Sequence, residues 1–336
     1  MKCAPAITTI LLTALLLLGS AAGAWGQDLH FSQAPLNATF QNPALTGVFS
    51  GDWRASAHYR SQWESVPVQY RTGSAAADLK SQTFGKNGLA FGLLLAQDQA
   101  GDAVLRWSQI GLQVSALHAL SKNQQLSVGF GLQGVQRSLD LSQLKFNNQW
   151  DGDLYNPDLS PREVLNNQSG IKASLSAGIN WHFQDPTSRT KFDAGLAGFH
   201  LNRPDIHFKS DLPYALPARI GGYVQGYWQQ NELMDWYFFS QYQQLSTARE
   251  TVMGAGVRYW LDDETALQFS GASRWKDAMI PSIQVQFRQW IVGLSYDVNY
   301  SPFKVATRRR GGFELGIVYT SLPVKPIKDL KVCPTF

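Results

Sequence analysis

Apolar and polar residues alternate with a period of two over long stretches of this chain. In segment 171–183, alternate residues from Ile171 to Phe183 are apolar, while the intervening residues from Lys172 to His182 are polar or small. This is the side-chain period of a β-strand and not the 3.6-residue period of a helix. The segment is also longer than the ~5–6 residues usual for strands of soluble proteins. The pattern therefore predicts long strands.

The same alternation recurs along the chain and predicts about 14 strands, an even number as in bacterial outer-membrane barrels. They cover 52–60, 68–79, 87–98, 104–119, 124–138, 170–183, 191–200, 215–229, 233–244, 250–261, 265–275, 278–288, 290–298 and 311–322, where Val318 interrupts the alternation. The polar series consists mostly of Gly, Ser, Gln, Asn and Ala. A sheet face in bulk water would carry many Lys and Glu side chains, whereas small neutral residues suit a crowded lumen. The predicted fold class is all-β, a transmembrane antiparallel β-barrel over 52–322.

The connections and the tryptophans agree with this fold. Tight connections at 120–123, 230–232, 262–264 and 289 alternate with longer ones, of which the longest are 139–169, 201–214 and 299–310. Short periplasmic turns, long outer loops and interfacial aromatic girdles characterise outer-membrane barrels. Eight tryptophans at strand ends are expected in the girdles: Trp53, Trp107, Trp181, Trp228, Trp236, Trp260, Trp275 and Trp290. With an even strand number, both termini are expected in the periplasm. The alternative is an exported β-sandwich or propeller, although no ~40-residue repeat supports a propeller.

The amino-acid composition excludes several classes of protein. Of 336 residues, 16% are charged and 44% are hydrophobic, compared with the ~25% charged residues of average soluble proteins. The aromatic content of 12% excludes a disordered chain, and two cysteines exclude a disulfide scaffold. A net charge of +4 without a concentrated basic stripe argues against nucleic-acid binding.

The first 26 residues form a predicted signal peptide. Lys2 precedes an apolar run from Ile7 to Leu18, which is short for a membrane anchor. Cleavage is expected after Gly26, which removes Cys3 and leaves Cys333 as the one thiol of the exported chain. Downstream of residue 26 no apolar run reaches the length of a transmembrane helix.

Motifs distributed over the exported chain resemble those of one family. Gln27 to Gln33 reads QDLHFSQ and is followed by NPALTG at 42–47 and YRSQW at 59–63. Later matches include FDAG at 192–195 and YDVN at 296–299. Together these resemble the PorP/SprF family of outer-membrane proteins of the type IX secretion system of the Bacteroidota. The residues that carry the family motifs are Asn42, Pro43, Ala44, Gly47, Tyr59, Arg60, Gln62, Trp63, Asp98, Gly101, Asp193, Pro204, Glu314, Cys333 and Pro334.

The resemblance implies a non-enzymatic role in the export or surface anchoring of a partner protein. Such partners carry a C-terminal targeting domain of the type B kind and include gliding adhesins. It also implies contacts with outer-membrane lipid and with periplasmic partners, either type IX envelope components or an OmpA-like protein. The rival function is an outer-membrane channel or transporter for small or hydrophobic solutes, which an open polar lumen or an apolar internal pocket would favour.

Segment 27–51 precedes the first strand and contains the motif Asn42–Gly47. Its Pro and Gly make it a poor strand. Three placements are open: a hatch inside the lumen, a docking element beneath the barrel, or a fixed turn that starts the barrel. Segment 323–336 is expected to be a periplasmic tail.

Within the barrel, Arg60 is expected to form an ion pair with a lumenal carboxylate, for which Asp78, Asp193 and Glu314 are candidates, because an unpaired charge in a narrow lumen is costly. Trp63 is expected in a girdle. Cys333 could form an intermolecular disulfide.

Two loop features are candidates for ligand binding. Arg308, Arg309 and Arg310 could pair with lipopolysaccharide phosphates, since guanidinium groups bind phosphate in bidentate fashion. The carboxylates of loop 151–158 resemble the start of a calcium loop but lack its Gly and terminal Glu. No sequence signature of catalysis, of a metal site or of a cofactor site is found. The chain is therefore expected not to be an enzyme and to bind no cofactor.

Overall fold

The computed structural model describes most of the predicted barrel and the segment before it. The described residues are 28–62, 70–81, 87–101, 105–140, 144–160, 169–207, 215–302, 307–308 and 310–322. The predicted signal peptide, Trp63, Arg309 and the tail with Cys333 and Pro334 lie outside the described residues. In the part of the chain that is described, no helix is long and apolar enough to cross a bilayer.

In the described part of the chain, fourteen antiparallel strands close into one barrel, in which each strand pairs with its neighbours in sequence and β1 pairs with β14. The strands are β1 Trp53–Gln62, β2 Tyr70–Lys80, β3 Asn87–Ala100, β4 Leu105–Ala119, β5 Gln124–Ser138, β6 Lys172–Gln184, β7 Lys191–Phe199, β8 Arg219–Gln229, β9 Met234–Leu245, β10 Ala248–Trp260, β11 Thr265–Arg274, β12 Ala278–Phe287, β13 Trp290–Asn299 and β14 Arg310–Thr320. The predicted fold class and strand number are confirmed.

Most strand boundaries lie within about two residues of the prediction, but β8 begins at Arg219 and not at residue 215. Ala215 forms an isolated bridge with Asp205, and the amide of Leu216 donates to the carbonyl of Pro204. Pro217 has no N–H to donate to a ladder. These residues therefore belong to the connection before β8 and not to the strand.

The alternation along each strand separates a lipid-facing surface from the lumen. In β6, Leu175 is 46% exposed on the outer face, while Ser174 and Asn180 on the inner face are completely buried. The position of a residue in this alternation, which we call its parity, decides whether its side chain faces lipid or the lumen, even where the residue type would suggest the other side. Val318, which interrupts the apolar series of β14, points into the lumen and is buried there.

Parity also corrects two of the eight expected girdle tryptophans. Six are exposed on the outer surface: Trp53, Trp181, Trp228, Trp236, Trp275 and Trp290. Trp107 and Trp260 instead line cavities inside the barrel. Trp107 pairs with the inward-facing Asp98, and Trp260 pairs with the inward-facing Ala266. A strand-end position alone therefore does not place a tryptophan in contact with lipid.

The two ends of the barrel differ in their connections. We call the end with the tight connections after β4, β8, β10 and β12 the turn end, and the opposite end, with the connections 139–171 and 200–218, the loop end. β1 begins and β14 ends at the turn end, as an even strand number requires. The long connection after β5 contains a 3₁₀ turn, Asn147–Gln149, and an isolated bridge between Trp150 and Tyr155.

The segment before β1 lies inside the barrel. It forms a 3₁₀ turn at Ala34–Leu36, the short helix α1 at Ala38–Gln41 and a second 3₁₀ turn at Pro43–Leu45. We call residues 31–47 the plug, because all of them except the half-buried Pro35 and Leu36 are buried in the lumen. The plug is preceded by residues 28–30 at the loop end and followed by residues 48–52, which lead into β1 at the turn end.

This path bears on the expectation that both termini lie in the periplasm, while residues 1–27 and 323–336, which contain the termini, lie outside the described residues. The expectation describes the strands, since β1 begins and β14 ends at the turn end. Asp28, the first described residue, instead contacts His200 and Arg219 at the loop end. The chain therefore crosses the lumen once before the first strand begins. The short turns and the helix α1 of this segment are too short to show the two-residue alternation of a strand. The sequence pattern therefore did not indicate this crossing.

Candidate functional site

The plug is the candidate functional site, because it contains the family motif Asn42–Gly47 and occupies the middle of the lumen. Asn42 is completely buried. Its side-chain Nδ2 donates to the backbone carbonyls of Ile179 in β6 and Leu196 in β7, at 3.0 and 3.3 Å. Its Oδ1 accepts from the amide of Ala44 at 2.8 Å and so caps the following turn. Of the three placements left open by the sequence, the described residues adopt the lumenal one.

The rest of the motif is held by other strands. The hydroxyl of Ser127 in β5 donates to the carbonyl of Ala44 at 2.7 Å. The amide of Gly47 donates to Asp78 in β2 at 2.8 Å. Gly47 has φ of +79° and lies against Ala90, so a side chain at this position would be both strained and obstructed. Pro43 begins its 3₁₀ turn with the fixed φ that suits this position.

Inward-facing glycines provide the space into which the plug fits. A Cβ at Gly129 of β5 would overlap the Pro43–Ala44 peptide, and one at Gly178 of β6 would overlap the Asn42 side chain. A Cβ at Gly293 of β13 would overlap Gln33. We call Gly129, Gly178 and Gly293 the cradle glycines. The small residues of the lumen therefore accommodate a folded segment of the chain, and they do not outline a wide pore.

A cluster of buried charges holds the first turn of the plug. Arg60 is 1% exposed, and its Nη2 donates to Asp297 at 2.8 Å. Its Nη1 lies 3.5 Å from Glu314. Arg274 donates to the same Asp297 oxygen at 2.7 Å and lies 3.1 Å from Glu250. We call these five residues the lumenal charge cluster. Each carboxylate is close to a guanidinium group, as buried charges require.

The cluster contacts the plug through backbone as well as side-chain groups. The amides of Ser32 and Gln33 donate to the two carboxylate oxygens of Glu314, at 2.7 and 2.8 Å. The Ser32 hydroxyl donates to Asp297 at 2.8 Å. Arg60 also donates to the carbonyl of His30 at 3.1 Å. Glu314 thus satisfies two backbone donors that would otherwise be buried without a partner.

The expected partners of Arg60 are distributed over three different ion pairs. Glu314 lies beside Arg60, as one of the three alternatives proposed. Asp78 instead accepts from Arg54 at 2.7 Å, and Asp193 lies 2.9 Å from Nδ1 of His182. Asp297, the closest carboxylate to Arg60, was not among the candidates. It belongs to a family motif and shares the inward parity of Gly293 in β13, so the sequence could have added it to the candidates without choosing among them.

A second group of charges holds the start of the segment at the loop end. Asp28 lies 3.0 Å from Nε of Arg219 and 3.2 Å from Nε2 of His200. Burial by itself raises the pKa of Asp28, but the guanidinium charge of Arg219 and the hydrogen bond with His200 outweigh it and hold this pKa well below its usual value. Burial lowers the pKa of His30 to about 4, so its imidazole is neutral at pH 7.

The other family-motif residues lie near the loop end. Asp98 accepts from the hydroxyl of Thr72 at 2.6 Å. Gly101 follows β3 with φ of +78°, and the buried Pro204 accepts the Leu216 amide. Gln62 faces a cavity, while Tyr59 is exposed on the outer surface.

The two candidate ligand-binding loops lie at the loop end. Arg308 and Arg310 are exposed there, on either side of Arg309, which lies outside the described residues. In the loop after β5, Asp151 accepts the amides of Asp153 and Leu154 at 2.9 and 2.8 Å, and these bonds lower its pKa. Asp151 therefore stabilises a local turn. Among the described residues, no three His, Cys, Asp or Glu side chains are grouped so that they could hold a metal ion.

The plug divides the lumen into two chambers. The loop-end chamber has a volume of about 370 Å³ and is lined by Asp28, Leu29, Tyr70, Asp98 and Trp107 among others. The turn-end chamber has a volume of about 470 Å³. Its lining includes the underside of the plug at Leu36 and Leu45 together with residues of β7, β8 and β10.

Replacing Glu314 by Gln should loosen the first turn of the plug. An amide has one acceptor oxygen where the carboxylate has two, so either Ser32 or Gln33 loses its partner and Arg60 loses a neighbouring charge. We expect this to destabilise the docked plug by about 1–3 kcal/mol. Hydrogen exchange of the Ser32 and Gln33 amides should accelerate by about tenfold or more.

Glu264→Gln is the matched control. Glu264 pairs with Arg288 at 2.7 Å, but both side chains are 57% exposed, and exposed pairs contribute only about 0–1 kcal/mol. Glu264→Gln should therefore leave the hydrogen exchange of the Ser32 and Gln33 amides unchanged. Unchanged exchange in Glu314→Gln would show that the cluster does not hold the plug.

Comparison with known proteins agrees with this architecture. The family described as type IX secretion system membrane protein PorP/SprF matches residues 24–319, and no curated protein matches the chain. Similar solved structures include a Pseudomonas aeruginosa FadL homologue, with 9% identity, a TM-score of 0.50 and coverage of 84% of this chain and 93% of that one.

Two further structures have lower TM-scores. The toluene transporter TbuX from Ralstonia pickettii has 10% identity, a TM-score of 0.49 and coverage of 84% and 92%. The translocator domain of the autotransporter NalP from Neisseria meningitidis has 10% identity, a TM-score of 0.41 and coverage of 86% and 96%. At these identities the likeness concerns the fold alone, that of an outer-membrane barrel. By its family match and its barrel, this chain belongs to the PorP/SprF family of type IX secretion system membrane proteins.

Proposed function

We propose that this outer-membrane component of type IX secretion supports the export or surface anchoring of a partner protein that carries a type B C-terminal targeting domain. The observation that supports this role most directly is the plug. Its contacts come from strands around the whole barrel, including β2, β5, β6, β13 and β14. A lumen filled in this way leaves the rims and loops of the barrel as surfaces for protein recognition.

The rival function, a channel for small or hydrophobic solutes, receives less support from the same geometry. The plug places buried side chains and peptide groups between the two chambers. Some barrels of similar fold are described as toluene transporters, but that likeness carries no argument about function. The proposed role is recognition, without catalysis and without a cofactor.

We further propose that the turn end faces the periplasm and the loop end faces outward, as in other outer-membrane barrels. In this orientation the turn end would contact type IX envelope components or an OmpA-like protein. The loop end would contact the exported partner, of which a gliding adhesin is one kind.

The loop after β5 offers a surface for that contact. Its bridge between Trp150 and Tyr155 supports a short hairpin, on which Trp150 is 58% and Leu154 is 69% exposed. Exposed tryptophan is enriched among the residues that dominate protein interfaces. We therefore place recognition of the partner at this hairpin.

Affinity purification of the tagged barrel from native membranes tests the role. The expected result is an exported protein with the C-terminal targeting domain, which is recovered with wild-type barrel. Replacing both Trp150 and Leu154 by Ala should reduce its recovery by about tenfold or more, since buried anchors at interfaces contribute about 2 kcal/mol or more.

The matched control replaces two exposed leucines at the turn end, Leu233 and Leu261, by Ala. These substitutions remove similar apolar surface from the opposite rim and should leave recovery unchanged. The absence of any exported partner from the wild-type sample would contradict the proposed role. Equal loss in both variants would contradict the placement at the hairpin.

A further inference from the structure

The turn-end chamber contains positive charges that are not matched by carboxylates. The guanidinium of Arg258 in β10 lies over the ring of Tyr227, 3.7 Å from its centroid, and donates to Gln268 at 3.2 Å. Nζ of Lys191 in β7 lies 5.3 Å from the centroid of the same ring. Among the described residues, neither side chain has a carboxylate within ion-pair distance. Arg258 is only 7% exposed.

The nearest carboxylates are engaged elsewhere. Asp235 lies 2.9 Å from Arg189 and accepts from Nε1 of Trp260 at 2.7 Å. Asp193 accepts from Asn180 at 3.2 Å and lies 2.9 Å from His182. Asp235 is therefore paired with Arg189, and Asp193 with His182. Within the described structure, the positive charges of Arg258 and Lys191 remain unpaired around Tyr227.

Amide side chains surround these cations. The chamber is lined by six glutamines: Gln125, Gln184, Gln225, Gln284, Gln286 and Gln289. Nε2 of Gln125 and Oε1 of Gln225 are buried without a hydrogen-bond partner in the described structure. Amide side chains carry both a donor and an acceptor, which are the two groups that a peptide bond pairs with. The underside of the plug and the residue that follows it add apolar side chains to the lining, namely Leu36, Leu45 and Val48.

From this arrangement we propose that the turn-end chamber binds an acidic peptide segment, whose carboxylates pair with Arg258 and Lys191. Buried charges are stabilised by a partner of opposite sign, and the volume of about 470 Å³ admits several side chains. The glutamines bind the peptide groups, and the apolar underside of the plug contacts the apolar side chains of the segment. This site is separate from the hairpin at the loop end, so the proposal does not depend on partner recognition at that hairpin.

The binding of a labelled hexapeptide to the purified full-length barrel tests the proposal. The probe alternates aspartate with leucine and has blocked termini, and a second peptide has asparagine in place of aspartate. Fluorescence anisotropy should show that the acidic peptide binds at least about tenfold more tightly than the neutral one and weakens as salt rises.

Variants identify the cations responsible. Combined Arg258→Gln and Lys191→Gln should weaken binding of the acidic peptide by about tenfold or more. Lys191→Gln alone removes no hydrogen bond of the described structure and should weaken it about threefold, which keeps the test valid if the double variant folds poorly. Lys122→Gln is the control, since Lys122 is exposed on the tight turn after β4 and does not line the chamber.

Three results would overturn the proposal. The first is equal binding of the two peptides. The second is unchanged affinity in Lys191→Gln and in the double variant. The third is full displacement of the peptide by inorganic phosphate at an equal concentration, which would indicate a site for a small anion and not for a peptide.

Discussion

Deletion of residues 28–47 should convert the barrel into an open pore. We expect a single-channel conductance about tenfold or more above that of the intact protein, because the lumen of a barrel of this size is closed by the residues inside it and not by the strands of its wall. The deletion removes every residue of the plug and leaves all fourteen strands in place. Recordings in planar lipid bilayers measure the effect directly.

A matched deletion of 151–158 is the control. These residues lie in the loop after β5, where all but the half-buried Asn156 are exposed, outside the barrel wall. Their removal should leave the conductance at the wild-type level. A low conductance in the 28–47 deletion would mean that lumenal side chains close the barrel without the plug, and would contradict the role assigned to this segment.

Gly129→Val should displace the plug without any deletion. A Cβ at Gly129 would overlap the peptide between Pro43 and Ala44, and backbone atoms on both sides leave little room for adjustment. Overpacking of this kind costs about 1–3 kcal/mol or more. We expect higher conductance and cleavage of the segment before β1 by an added protease, while the barrel keeps its strand content by circular dichroism.

Gly73→Val provides the comparison for this substitution. Gly73 lies in β2, and a Cβ there would meet no atom within 4 Å. The same change of residue should therefore alter stability by only about 0.5 kcal/mol. Equal protease resistance of the two variants would show that the cradle glycines do not position the plug. Loss of strand content in Gly129→Val would instead indicate that Gly129 is needed for the barrel itself.

Much of the barrel was predictable because its main signal is local. Long alternation such as that of 171–183 identifies a strand and assigns each residue to a face, without knowledge of its neighbours. The same rule could have placed Trp107, Trp260 and Val318 inside the barrel. The girdle positions expected for Trp107 and Trp260 are wrong because residue type was given more weight than position along the strand. The same rule explains why Val318 interrupts the apolar series.

The candidate site was predictable only in part. The motif Asn42–Gly47 was identified from the family resemblance, and a lumenal position was one of three alternatives. The choice depended on groups that are remote in sequence. Asn42 is 137 residues from Ile179, and Ser32 is 265 residues from Asp297. No local pattern indicates which of several carboxylates will lie beside Arg60.

Local alternation was thus sufficient to specify an all-β barrel with about 14 strands, an apolar exterior and a lumen of small polar residues. The position of the plug, the pairing of Arg60 with Asp297 and Glu314, and the unmatched cations of the turn-end chamber became apparent only in three dimensions. The physical reason is closure. A strand acquires its period from its own backbone, but two residues meet across a lumen only when the register of every intervening strand has brought them together.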